Sequence, residues 1–263
     1  MTELNDTRVL VTGATRGLGA AMATALAKAG ARVLVTGRDQ ARTAALSIEL
    51  GTCAIPCHLD VRDEDSVAAC VARARTAWGA LDMLVNNAGI GMRTVNPRFM
   101  SAPQPFWEVT PGGFRDVVET KVVGCFLMAR EVVPMMLRDG GGRIVNISMN
   151  ESTMVRRGFV PYGPSGAGVE ALSRVMAADL VGSSVTVNIL LPGGRGTRTG
   201  MVPDDVPAEV QAQMQDPAVM GPPIVWLASE SAAGVHDQRD VATEFDSALA
   251  SVLRPSGELS GGA

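Results

Sequence analysis

Residues 12–19, Thr-Gly-Ala-Thr-Arg-Gly-Leu-Gly, follow a short apolar run and open a stretch with helical periodicity. Such a turn is suited to holding phosphate. Gly13 permits a tight turn, and Gly17 and Gly19 let backbone and helix approach a pyrophosphate, with Thr15, Arg16 and Leu18 completing the turn. A second set of residues could move protons. Tyr162 is the only tyrosine, and of the 23 basic residues all but Lys28 and Lys121 are arginine. A chain that uses arginine wherever positive charge will do is expected to keep Lys121 for its amine. Ser148 is a candidate hydroxyl, and Glu151 and Ser152 in the following loop could supply an acid or a donor.

Two other chemistries find no support. Cys53, Cys57 and His58 form the one cluster resembling metal ligands, but no second ligand pair accompanies them, so no metal site is expected. His58 and His236 are the only histidines, and neither lies in a context suited to a histidine-based triad. Scattered cysteines in strand-like and helix-like stretches fit reduced, buried thiols.

The elements that must position these residues alternate along the chain. Strands are expected at 8–12, 32–36, 53–59, 81–86, 143–148 and 185–191, and helices at 17–30, 39–50, 63–78, 112–137 and 162–181. Asp39 is the expected cap of the second helix. Strands alternating with helices imply right-handed crossovers and a parallel, doubly wound sheet in three α/β/α layers. Ligands then gather at the carboxyl ends of the strands. A chain of 263 residues with 46% hydrophobic content suits a single domain, read here as 1–253 with a frayed tail at 254–263.

A net charge of −4 and a pI near 5.3 give no basic footprint for nucleic acid or anionic membrane. Partners are expected to be small molecules or copies of the chain itself. The N-terminus lacks the pattern of a signal peptide, and no apolar run approaches the roughly 20 residues that span a bilayer. The expected location is cytoplasmic.

Together the glycine turn, Asn86-Asn87-Ala88-Gly89 after the fourth strand and Tyr162 resemble the short-chain dehydrogenase/reductase family along nearly the whole chain. That resemblance implies a Rossmann-like fold binding a nicotinamide dinucleotide. Asp60 and Val61 match its adenine-contacting pair; Asn87, Ala88 and Gly89 line the nicotinamide ribose; Pro192, Gly193 and Thr197 match the segment covering the nicotinamide. An acidic residue after the second strand would accept from the ribose 2′-hydroxyl of NAD, whereas this chain has Gly37-Arg38, with Arg16 nearby. Two guanidiniums favour a 2′-phosphate, so NADP is the expected cofactor. The family also forms homodimers and homotetramers through its fourth and fifth helices, where Gly124, Ala167 and Ala171 would allow close approach.

At the reaction centre the sequence departs from the family pattern. Carbonyl-reducing members use a tyrosine, a lysine four residues later, a serine thirteen before the tyrosine and an asparagine in the fourth helix. Here those positions hold Tyr162, Gly166, Met149 and Lys121. The expectation is that Lys121 enters space vacated at Gly166 and replaces the missing lysine, with Tyr162 as acid/base and Ser148 as substitute hydroxyl if the strand end shifts by one residue. The resemblance thus implies an NADP-dependent oxidoreductase acting on a carbonyl or alcohol. A non-redox cyclase, isomerase or lyase on the same scaffold, or a nucleotide-binding pseudoenzyme, is the alternative. Phe99, Met100, Phe106, Trp107, Met154, Phe159 and Met201 suggest a bulky apolar substrate, and Arg156 with Arg157 an anchor for an anion.

Overall fold

Strand residues in this chain alternate between two cores, and that alternation builds three layers. The computed structural model describes residues 3–194 and 196–246. Its strands are β1 (Arg8–Val11), β2 (Arg32–Gly37), β3 (Ala54–His58), β4 (Met83–Asn86), β5 (Gly142–Ile147), β6 (Val185–Leu191) and β7 (Arg239–Val241). All pair in parallel, in the order β3-β2-β1-β4-β5-β6-β7. Val9, Val11, Val33, Val35, Met83 and Val85 face one core, while Leu10, Leu34 and Leu84 between them face the other.

Helices α1 (Gly17–Lys28), α2 (Gln40–Leu50) and α3 (Glu64–Trp78) cross between the first four strands. Asp39 caps α2, accepting from the Arg42 backbone N–H at 3.1 Å. Next come α4 (Pro111–Val118), α5 (Gly124–Arg138), α6 (Glu151–Met154), α7 (Tyr162–Asp179), α8 (Ala208–Ala212) and α9 (Gly221–Ala228). Met22 and Leu26 of α1 meet Ile224 and Leu227 of α9 on one face. Val71 of α3, Met128 and Val132 of α5 and Ala177 of α7 cover the other.

The expected helix at 112–137 is not one continuous α-helix. Glu119–Val123 forms a π-turn between α4 and α5, and Lys121 sits within it. Local widening of this kind re-aims a side chain and is frequent at functional sites. The order of strand addition reverses at β1, whose neighbours are β2 and β4, so a crevice opens beyond their carboxyl ends. The tail at 254–263 lies outside the described residues.

Candidate active site

Hydrogen bonds from the β4 end hold the glycine turn open for a ligand. Thr12 Oγ1 donates to the Val85 carbonyl and accepts from the backbone N–H groups of Asn87 and Ala88, both at 2.9 Å. The Asn87 amide donates in turn to the carbonyls of Thr12 (2.9 Å) and Gly13 (3.1 Å). Gly13 adopts φ +63°, and a side chain at Gly19 would strike the Gly13 carbonyl and the Asn87 amide. Arg16 is the N-cap of α1 without a side-chain cap bond, and the first turn holds no acid. The free N–H groups there suit a pyrophosphate.

From this turn a cleft of about 860 Å³ runs along the strand ends. Thr15, Arg16, Leu18 and Arg38 line it at one end, followed by Asp60 and Val61. Among the described residues, Arg16 and Arg38 have no carboxylate partner, while Arg42 on the same wall pairs with Asp39 at 3.1 Å. Asp60 is gripped by Arg62 at 2.7 Å and 3.1 Å, which holds its carboxyl below the usual range, with a smaller contribution from Arg38. Ala88, Gly89, Pro192, Gly193 and Thr197 continue the wall. Thr197 Oγ1 is buried with no hydrogen-bond partner among the described residues. A buried hydroxyl of this kind ordinarily finds a partner, so an orphan facing a cleft points to a polar ligand. Open N–H groups, free guanidiniums and the orphaned hydroxyl together fit a dinucleotide.

Past this wall the cleft reaches Lys121 and Tyr162. The Lys121 stem lies along Gly89, with Cγ 3.4 Å and Nζ 3.7 Å from where a Cβ on that glycine would stand. Its amine stands 5.0 Å from the centroid of the Tyr162 ring. No carboxylate among the described residues pairs with it. Burial lowers the amine's pKa to about 8, against a small opposing pull from Cys125. Burial raises that of Tyr162, whose hydroxyl has Met201 Sδ at 3.9 Å. Beside Lys121 a void of about 10 Å³, bordered by Thr12, Asn86, Thr120 and Cys125, is large enough for about one water.

Four expectations need correction. Lys121 does not enter the space at Gly166, because Met149 fills it: Met149 Cε and Sδ lie 2.6 Å and 2.9 Å from where a Cβ at Gly166 would be. Nor does Ser148 present its hydroxyl to a substrate. Ser148 reaches the cleft wall, but its Oγ donates to Glu170 Oε1 at 2.5 Å, and Arg239 Nε holds both Glu170 oxygens at 3.0 Å. Further out, Phe106 and Trp107 stand 67% and 73% exposed and do not border the cleft. Gly124 faces inward, where a Cβ would meet Val61.

Sequence reading missed the polar floor of the site. Asn86 donates to Asn146 Oδ1 at 2.9 Å, and Asn146 donates to Ser173 Oγ at 2.8 Å. Cys125 also donates to Asn146 Oδ1, at 3.4 Å. A buried asparagine in the middle of an apolar strand was the available signal, since such a group requires partners. His236 is structural, its ring placed between the Val187 N–H and the Ala177 carbonyl.

A family model described as short chain dehydrogenase matches residues 7–208. The chain belongs to the short-chain dehydrogenase family. Against a 3-oxoacyl-(acyl-carrier-protein) reductase of Vibrio harveyi this short-chain dehydrogenase is 33% identical over 230 residues, covering 85% of this chain and 90% of that one. Gluconate 5-dehydrogenase of Gluconobacter oxydans is 34% identical over 193 residues, covering 72% of each. The crystal structure of a 3-ketoacyl-(acyl-carrier-protein) reductase from Brucella melitensis, complexed with NADH, superposes with a TM-score of 0.79 at 26% identity. That match covers 91% of this chain and 98% of the other. Membership makes this short-chain dehydrogenase one of a family of oxidoreductases built on a Rossmann-like fold. No helix among its described residues is long and apolar enough to cross a membrane.

Proposed function

We propose that the chain is an NADP(H)-dependent oxidoreductase acting on a carbonyl or alcohol, or a related C=C or C=N bond, of a fairly bulky apolar small molecule. The observation that carries this reading is the Lys121 amine over the ring of Tyr162, 5.0 Å from its centroid. Bound NADPH supplies a hydride. Arg16 and Arg38 would hold the 2′-phosphate, the α1 N-terminus the pyrophosphate, and Thr197 the nicotinamide end.

Tyr162 then acts as the acid. Its hydroxyl donates to the substrate oxygen and transfers the proton as negative charge develops there. Because burial raises the phenol's pKa, the hydroxyl begins protonated, which suits the reductive direction. The phenolate left behind needs a cation. Lys121 supplies it from the π-turn, at a site shielded enough for the attraction to be strong. Phe99, Met100, Met149, Phe159 and Met201 form the apolar, adaptable walls around the substrate.

The test is NADPH oxidation across a panel of apolar ketones with the wild type, Tyr162→Phe and Lys121→Met. Each variant is expected to lose about 10²–10⁴ in kcat. Full activity in Lys121→Met would sink the role given to the amine. Product formed without NADPH consumption would support a cyclase, isomerase or lyase instead, and nucleotide binding without any turnover a pseudoenzyme.

A further inference from the structure

Beyond Tyr162 the cleft ends at another guanidinium. Arg156 lines this end, with Cζ 4.8 Å from the centroid of the Phe159 ring. Phe159 is 6% exposed and packs edge-to-face on Phe99 at 5.3 Å. Met92 completes that cluster, and Met100 and Tyr162 pack against it. One apolar cluster therefore supports both Tyr162 and the platform under Arg156.

Several arginines around this part of the molecule are neutralised. Arg93 pairs with Asp204 at 2.6 Å, Arg198 with Asp216 at 2.8 Å and Arg239 with Glu170 at 3.0 Å. Arg156 has no carboxylate partner among the described residues, and its neighbour Arg157 does not border the cleft. Among the described residues, the other unpaired guanidiniums on the cleft wall, Arg16 and Arg38, stand at the opposite end, where the proposed nucleotide phosphate takes both.

We infer that Arg156 binds a carboxylate carried at the far end of the substrate, so that the carbonyl facing Tyr162 belongs to an oxo acid with an apolar body. The inference rests on the proposed function, which places the reacting carbonyl at Tyr162. A guanidinium offers two parallel N–H donors that match the two oxygens of a carboxylate. Stacking on Phe159 orients this fork before the substrate arrives. Among the described residues no second cation lines the cleft beside Arg156, which suits a monoanion better than a phosphate dianion. Phe99, Met100 and Met149 flank the apolar body between the two polar ends.

Binding calorimetry on the NADP⁺-saturated protein tests this without turnover. The probes are benzoylpropionate and its methyl ester, which share ketone and body and differ in charge. The acid is expected to bind about tenfold or more tightly than the ester, as a charge-assisted pair requires. Arg156→Leu should erase that difference, Arg156→Lys should retain part of it, and Arg157→Leu should leave it in place. Equal affinity of acid and ester for the wild type, or an undiminished preference in Arg156→Leu, would overturn the inference. If the acid is preferred through Arg156 but neither probe is reduced with NADPH, the carboxylate site stands and the redox reading fails.

Discussion

Met149 occupies the space that a side chain at Gly166 would need. Its Cε, Sδ and Cγ lie 2.6, 2.9 and 3.1 Å from the position of a Cβ there. The Met149 side chain is buried, and its backbone carbonyl accepts from Arg239 Nη2 at 3.1 Å. Methionine at one position and glycine at the other are therefore one packing solution. Gly166→Lys alone is expected to overpack the site and cost about 1–3 kcal/mol. Adding Met149→Ser should relieve the clash, and the triple variant with Lys121→Asn should recover both thermal stability and NADPH-dependent reduction. Thermal unfolding of the three proteins checks the order; an unaltered Tm in Gly166→Lys would refute the packing argument.

Nucleotide choice is expected to follow the guanidiniums at the β2 end. Arg16 and Arg38 lack carboxylate partners among the described residues, Gly37 packs against Thr15, and Asp39, two residues past the strand, is paired with Arg42 at 3.1 Å. NADPH should therefore bind more tightly than NADH, by about tenfold or more for a charge-assisted phosphate contact. Arg38→Asp should reverse the preference, because a carboxylate accepts from a 2′-hydroxyl and repels a phosphate. Fluorescence titration with both nucleotides decides it, and equal affinities for the wild type would remove the assignment.

Most of the sheet was legible because valine-rich strands, glycine-closed helices and the Asp39 cap are local signals. β7 was not, being three residues long and placed by its pairing with β6. The helices α6, α8 and α9 also escaped: α6 and α8 have four and five residues, and α9 opens with Gly221-Pro222-Pro223, which reads as a break. The types of the residues at 121, 149, 162 and 166 drew attention to the reaction centre, but not their mutual placement. Where the Lys121 stem runs depends on the π-turn and on Met149, neither of which has a periodic signature. Ser148 was misread because only the fold brings Glu170 and Arg239 to its hydroxyl.

Self-association is expected through the outer faces of α5, the π-turn before it and α7. Phe126 and Val123 are 44% and 38% exposed, Val175 is 57% exposed, and Ala167 and Ala171 are small and exposed. Apolar surface of this kind is commonly covered in an oligomer. Light scattering at micromolar concentration should give a dimer or tetramer, and Phe126→Glu with Val175→Glu should shift it toward monomer. A wild type that is monomeric with and without NADP would contradict the expectation.

The pH dependence of reduction should report the charge on Lys121. Burial brings its pKa down to about 8, against roughly 10.4 in an exposed lysine. Tyr162 moves upward by the same cause, so its phenol stays protonated while the ammonium discharges. The rate should therefore hold steady below about pH 8 and fall as pH rises through it, the loss being that of the cation facing the phenolate. Stability runs the opposite way. Since the folded pKa is lower than the unfolded one, the unfolded chain binds more protons between them, and this group's contribution to stability rises from about pH 8 to roughly 10.4. Urea unfolding of the nucleotide-free protein across that range should show the rise, and Lys121→Met should remove it. A pH–rate profile unchanged in shape by Lys121→Met would show that another group sets the limb.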